Sequence, residues 1–477
     1  MNSEQLARGV IMTGIAGTNL DSSLPRFGGY LLFPGDSAPL ERVRSLTDAL
    51  RSRDAELPPL IAVDQEGGVV ARLDAGIEPM PPMMALGAAN DVDLARRAGE
   101  QTAFDLRRAG CNLDFAPVLD LALEPGNVVI GTRSFGADPQ RVASLGAVFA
   151  RGLLSAGVLP CYKHFPGHGS TAIDSHQALP VVETGEATLR ARDLVPFAAV
   201  ARDAPVMMSA HVVVRAFDAE LPATLSPRIA QDLLRGELGF GGALITDCLE
   251  MKALDARGPV ESAVAAIAAG ADLVLFSHDV DLALAAAVAI EARVPLERLE
   301  EAHANVTRLR QTVTSPLPLD AFPPHPGIGR EIARRAVTLV RGVPHADPLA
   351  SVAVSFGAST PQLRREAPAL EEIHAPLDPQ PQELSALLGA LAMRQRRPLL
   401  LARRAHLHRA QADAIAQIVA RYPDALVVSL LEPFDVPLFG SARHLLAAYG
   451  DDAASIGGLA DVLFGGTMPT GQLPVSS

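Results

Sequence analysis

Tryptophan is absent from the 477-residue chain, aromatic residues amount to 4%, and cysteines number three. So few aromatic faces leave a long polysaccharide or a single nucleic-acid strand little to stack on, and a small ligand is the expectation. Cys111, Cys161 and Cys248 form an odd set with no C-x-x-C pair, which excludes a disulfide framework and a Cys-built zinc site and points to a reducing compartment. No apolar run approaches the ~18 residues of a membrane span. The N-terminal MNSEQLARGV lacks a basic segment followed by an apolar core, so a cytoplasmic protein is expected. Positive charge is also short. With 41 basic against 54 acidic residues the net charge is −13, and neither nucleic acid nor an anionic membrane is an expected partner. Of the basic residues only Lys163 and Lys252 are lysine. A lysine kept in an arginine-rich sequence marks a place where a compact ammonium serves better than a planar guanidinium.

Hydrophobic residues make up 48% and charged residues 20%, enough for sizeable cores in two or three domains. Short apolar runs at 9–15, 29–33, 59–63, 111–119, 158–162, 205–209, 242–246 and 271–276 alternate with amphipathic stretches. That is the pattern of eight βα units around a parallel sheet, and most runs are continuously apolar, as strands covered on both faces must be. Helix ends are legible as well: Asp138-Pro139 offers an N-cap and a first-turn proline, and Gly157 a stop. The expected fold is a (β/α)8 TIM-type barrel over residues 1–314, with an open doubly wound sheet as the competing arrangement. The proline-rich SPLPLDAFPPHPGIG at 315–329 reads as a linker. Residues 330–477, with apolar runs at 351–356, 398–402 and 425–431 and a helical stretch at 403–421, read as a smaller α/β layered domain.

Functional groups of such a barrel gather just after its strands. There the sequence places Asp64, Glu66 and Arg72; Asp120 and Arg133; Lys163 and His164; His211; Asp247; and Ser277 and His278. The segment from Lys163 to His176, KHFPGHGSTAIDSH, contains two glycines and a proline and therefore reads as a loop able to bend over a ligand. Within it, Asp174 and His176 are spaced for a carboxylate to orient an imidazole that exchanges protons near neutral pH. His164, His168, Asp174 and His176 also make an alternative zinc set, although they lack the helical i, i+4 spacing of rigid His ligation.

KHFPGHG followed by DSH resembles the signature of family 3 glycoside hydrolases of the β-N-acetylglucosaminidase branch, the peptidoglycan-recycling enzymes. VDQEGG with Arg72, NLDFAPVLD, IGTRSFG, MMSAH and ITDCLEM extend the resemblance over most of the barrel, and ADVLFGGTMPTGQLPVS resembles the end of the second domain in two-domain members. The sequence departs from the usual EGGRV pattern at Val69. The resemblance implies a retaining β-N-acetylglucosaminidase acting on small glycosides such as muropeptide fragments, with no cofactor and no metal. Carried over by motif, Asp247 is the nucleophile, His176 the acid/base and Asp174 its partner, and Asp64, Arg72, Arg133, Lys163 and His164 bind the terminal sugar. An imidazole in place of a second carboxylate does not repel an anion, so phosphate as acceptor is one alternative. Another is a β-glucosidase-type relative, whose acid would be a second-domain glutamate (Glu371, Glu372, Glu383 or Glu432). A third is a metal-dependent hydrolase built on the His/Asp cluster. Glu66, His168 and His211 are read as structural, and the chemistry is expected to need nothing beyond the linker.

Overall fold

The computed structural model describes residues 2–17, 19–20, 24–35, 37–54, 56–171, 175 and 177–475. Eight strands, β1 (Ile11–Ala16), β2 (Gly29–Phe33), β3 (Leu60–Val63), β4 (Leu113–Asp114), β5 (Leu159–Phe165), β6 (Val206–Ser209), β7 (Ala243–Cys248) and β8 (Leu273–Phe276), pair in parallel. They follow chain order and close where Ile11 of β1 registers with Val274 of β8. The protein is a TIM-type barrel. Its lumen is filled by every second residue of the strands: Met12, Leu31, Leu60, Ala62, Leu113, Leu159, Cys161, Val206, Met208, Ala243, Ile245, Leu273 and Leu275 form one buried cluster with Phe115. The intervening residues, among them Ile61, Val63, Tyr162, Met207, Leu244 and Val274, pack outward against the helices.

The helices end where their caps dictate. Asp91 accepts from the amides of Asp93 and Leu94 to open α1 (Val92–Ala109), and Asp138 accepts from Arg141 to open α2 (Pro139–Ser155). These two helices lie unusually close. A Cβ at Gly99 would sit 2.1 Å from the Phe149 carbonyl oxygen, so only glycine fits that crossing.

Two expected elements are shorter than their apolar runs. The run at 111–119 forms regular ladder only at Leu113–Asp114, with a further bridge from Val118 to Lys163, because Pro117 brings no N–H to the ladder. The helix expected over 403–421 begins at Arg409, since Arg404 takes φ +51°, outside the helical region.

Beyond the barrel a six-stranded sheet runs in the order β9 (Thr338–Arg341), β14 (His444–Ala447), β13 (Leu426–Ser429), β12 (Arg397–Ala402), β10 (Ser351–Phe356), β11 (Glu371–Ala375), antiparallel only between β9 and β14. Helices cover both faces, giving two separate apolar layers, one through Val354, Leu400 and Val427 and the other through Ala353, Leu399 and Val428. The proline-rich segment is pinned to the barrel: Arg107 donates to the Ser315 carbonyl (2.8 Å) and Arg108 to that of Leu319 (3.0 Å). The chain end returns as well. Gln472 donates to Ala88 and Pro474 accepts from Ala137 (both 2.9 Å), while Tyr449 and Val475 are buried in the barrel's outer core. Among the described residues no helix is long and apolar enough to cross a membrane.

Candidate active site

The inward alternation that fills the lumen runs on to the ends of the strands, which at β5 extend through Phe165, three residues beyond the apolar run read from sequence, and at β3 it reaches one residue past the strand. Residues 60 and 62 lead to Asp64, 159 and 161 to Lys163, and 243 and 245 to Asp247, so period-two geometry turns all three side chains toward the barrel axis at its C-terminal mouth. A cavity of about 440 Å3 opens there, and Asp64, Arg72, Arg133, Lys163, His164 and Asp247 all line it.

These groups are wired in pairs. The Lys163 ammonium donates to Asp64 Oδ1 (2.8 Å) and Glu66 Oε1 (2.6 Å). Glu66, fully buried, takes a two-pronged contact from Arg133, Nε to Oε2 at 2.7 Å and Nη2 to Oε1 at 2.8 Å. Arg133 is further fixed by donating from Nη1 to the Val129 carbonyl (2.8 Å). Burial alone would raise the Glu66 pKa, but the charges of Arg133 and Lys163 outweigh it and hold the carboxyl at about 2. Burial would likewise strip Lys163 of its proton, and Asp64 and Glu66 reverse this, keeping the ammonium charged. Glu66 is thus a brace between two cavity cations and does not itself line the cavity. Arg72 stays exposed at the rim, with its guanidinium over the Phe33 ring at 5.8 Å.

His164 is set by Asp120, whose Oδ2 lies 2.6 Å from Nδ1 and also accepts the His164 amide (3.1 Å). The other carboxylate oxygen accepts the His168 amide at 2.6 Å. One buried aspartate thereby shapes the whole turn after β5. Asp247 stands at the end of β7, with Oδ1 accepting the Cys248 amide (2.7 Å) and Oδ2 free of that bond. Burial pushes its pKa up, but His164, His211, the Cys248 amide and Lys163 together bring it below the ordinary carboxylate value. It is an ionised carboxylate facing a cavity.

His211, expected to be structural, is held by Thr224 Oγ1 (2.8 Å) and the Cys248 carbonyl (2.9 Å). His168 differs from the expectation. Its backbone is clamped, but among the described residues neither ring nitrogen has a hydrogen-bond partner, and the residue lines the cavity. Asp174 and His176 lie outside the described residues. Ser175, between them, lines the cavity, and its carbonyl accepts from Ala253 (3.2 Å). Among the described residues no three His, Cys, Asp or Glu side chains gather as a metal site.

Of the second-domain glutamates, Glu371 pairs with Arg394, Glu372 accepts from Ser355 and Thr360, Glu383 caps the helix begun by Gln380, and Glu432 pairs with Arg404; none lines the cavity. One residue was not singled out from sequence: Glu250 of ITDCLEM, whose Oε2 accepts the amides of Ser277 (2.5 Å) and His278 (2.9 Å) and ties the ends of β7 and β8 together. Its signal was its position three residues after Asp247 in that motif.

Residues 22–309 match the glycosyl hydrolase family 3 N terminal domain. A beta-hexosaminidase of Stenotrophomonas maltophilia strain K279a is 40% identical over 283 residues, covering 56% of this chain and 83% of the relative. A solved glycoside hydrolase family 3 beta-N-acetylglucosaminidase from Paenibacillus sp. superposes with a TM-score of 0.91 at 32% identity, covering 100% of this chain and 99% of that one. NagZ from Neisseria gonorrhoeae, solved with N-trifluoroacetyl-D-glucosamine, gives a TM-score of 0.54 at 32% identity over 64% of this chain and 98% of its own. With the family match spanning more than half the chain and the strand-end carboxylates in place, this protein is a glycoside hydrolase and belongs to family 3.

Proposed function

We propose that the enzyme is a retaining β-N-acetylglucosaminidase that releases terminal N-acetylglucosamine from small glycosides such as cell-wall muropeptide fragments. The observation that carries this reading is the ionised Asp247 at the end of β7, facing a closed set of sugar-sized polar contacts in a cavity of about 440 Å3. The names of the similar proteins point to the same sugar.

In this mechanism Asp247 Oδ2, the oxygen not bonded to the Cys248 amide, attacks the anomeric carbon as the glycosidic C–O bond breaks. His176, oriented by Asp174, gives its proton to the departing oxygen. The same imidazole then takes a proton from water, whose oxygen displaces Asp247 from the anomeric carbon, and two inversions amount to retention. The sugar is held by donors that the ion pairs leave over. Among the described residues Lys163 uses two of its N–H bonds on Asp64 and Glu66, and Arg133 three of its own on Glu66 and Val129, which leaves one ammonium hydrogen and two guanidinium hydrogens for hydroxyl or acetamido oxygens. Asp64 accepts from hydroxyls, and Arg72 and His164 complete the ring of contacts.

The test is hydrolysis of p-nitrophenyl N-acetylglucosaminide beside the matching glucoside, with and without EDTA. Faster hydrolysis of the N-acetylglucosaminide, unaffected by EDTA, and labelling of the Asp247 peptide by a slow fluorinated substrate are the expected results. Preference for the glucoside, or loss of activity with EDTA, would replace this reading by one of the alternatives.

A further inference from the structure

The side chain of His168 is the anomaly of the site. Its amide donates to Asp120 Oδ1 (2.6 Å), its carbonyl accepts from Asn127 Nδ2 (2.9 Å), and the next residue, Gly169, presses so closely on the Leu121 backbone that an added Cβ would lie 2.0 Å from the Leu121 carbonyl oxygen. The main chain therefore has no freedom to turn the ring elsewhere. The residue is 3% exposed, and among the described residues both Nδ1 and Nε2 are without a hydrogen-bond partner. Buried polar atoms are paired in the large majority of cases, because leaving one unpaired forfeits the hydrogen bonds it made with water. The ring lines the cavity wall while its two nitrogens are covered in the free protein, so a turn of the side chain is what brings one of them to a ligand atom.

Resting on the glycosidase reading above, we infer that His168 is a substrate-contacting residue whose neutral imidazole hydrogen-bonds a hydroxyl group of the sugar bound in the cavity. A neutral imidazole offers one N–H donor and one acceptor nitrogen, and a hydroxyl is the group that answers either. Burial lowers the affinity of this ring for a proton, His164 at a 6.4 Å ring separation adds to the effect, and the nearby carboxylates of Asp120 and Asp247 disfavour an anionic ligand. Of the two loop histidines, the one tied to Asp120 is thereby distinguished from the one left open.

The experiment uses the full chain and aryl β-N-acetylglucosaminides. His168→Leu is expected to lower kcat/KM about 10-fold or more, mainly through KM, and His168→Gln, which keeps a donor and an acceptor, to recover much of it. The melting temperature of His168→Leu should be no lower than that of the parent, because the ring nitrogens stabilise nothing in the free protein. Among 3-, 4- and 6-deoxy substrates, one should be slow with the parent and no slower with His168→Leu. A Leu variant as active as the parent would overturn the inference. So would a Leu variant that melts several degrees lower with Gln restoring it, or equal additional losses on every deoxy substrate. Failure of the glycosidase reading is separate, since it would show in the parent enzyme as no turnover of the N-acetylglucosaminide.

Discussion

The barrel mouth and the C-terminal edge of the second sheet are built alike, from parallel strands ending in charged residues, yet one holds a cavity and the other is closed. After β12, Arg403 donates to Asp451 and to the carbonyls of Phe356 and Ala358 (2.9, 2.9 and 3.0 Å), and Arg404 makes a two-pronged pair with Glu432 (3.0 and 2.9 Å). Ser355 at the end of β10 gives its hydroxyl to Glu372 (2.6 Å), and His406 lies against Asp435 at 2.7 Å. Each of these groups has found a partner within its own domain, with His406 Nε2 also reaching the Pro125 carbonyl of the barrel and one oxygen of Glu372 left over. At the barrel mouth, Lys163, Arg133 and His168 retain donors that no group among the described residues takes up. Strand-end charge is therefore common to both regions, and what separates a site from scaffolding is unspent hydrogen-bonding capacity around an enclosed space.

The sharpest test of this contrast is Asp247→Ala. Loss of the carboxylate proposed as nucleophile should cut kcat by about ten-thousand-fold while the melting temperature is kept, because the carboxylate faces a cavity rather than closing a structural pair. Retained turnover would move the chemistry elsewhere and dissolve the distinction.

Lys163→Met asks whether the mouth's cations also hold the fold. It leaves the half-buried Asp64 and the buried Glu66 without their ammonium, so activity should fall at least 100-fold and stability by about 3–5 kcal/mol in urea unfolding. An undiminished midpoint would show that Arg133 alone neutralises Glu66.

The same network predicts an acid response with a definite sign. Glu66 titrates at about 2 in the folded protein, against 4.5 in an unperturbed chain. Its ion pairs stabilise fully above about pH 4.5, and about 3 kcal/mol is lost as pH falls toward 2. Glu66→Gln should therefore be less stable than the parent at pH 7, with the gap narrowing below pH 4.5. Parallel stability curves would sink the assignment.

The smallest effect expected is also the one that joins the two regions. Glu432 of the second domain lies so close to the barrel loop that a Cβ at Gly131 would meet its Oε1 at 2.3 Å, and His406 Nε2 is 3.0 Å from the Pro125 carbonyl oxygen. This loop carries Val129 and Arg133. Glu432→Gln should raise KM a few-fold, about 5-fold, without touching substrate, and leave kcat nearly unchanged. A kcat loss as large as that of Asp247→Ala would instead make Glu432 part of the chemistry and revive the glucosidase-type alternative.

Much of this molecule is legible before any coordinates are seen, because the signals are local. Runs such as PLIAV and GALIT declare two-sided strands, Asp138-Pro139 announces its helix, and the position of Lys163 and Asp247 just after apolar runs marks them for the functional end of the barrel. The same residues, embedded in KHFPGHG and ITDCLEM, carried the family. What local pattern does not contain is pairing between distant segments. That Glu66 spans Lys163 and Arg133, that Glu432 pairs with Arg404, and that Asp120 claims the His164 ring and not that of His168 depend on which groups meet across 28 to 97 residues of chain. Hydrogen bonds and ion pairs act over a few ångströms, so composition and period determined which chemistry this chain carries, while only the closed barrel decided which of those groups are satisfied and which remain for a ligand.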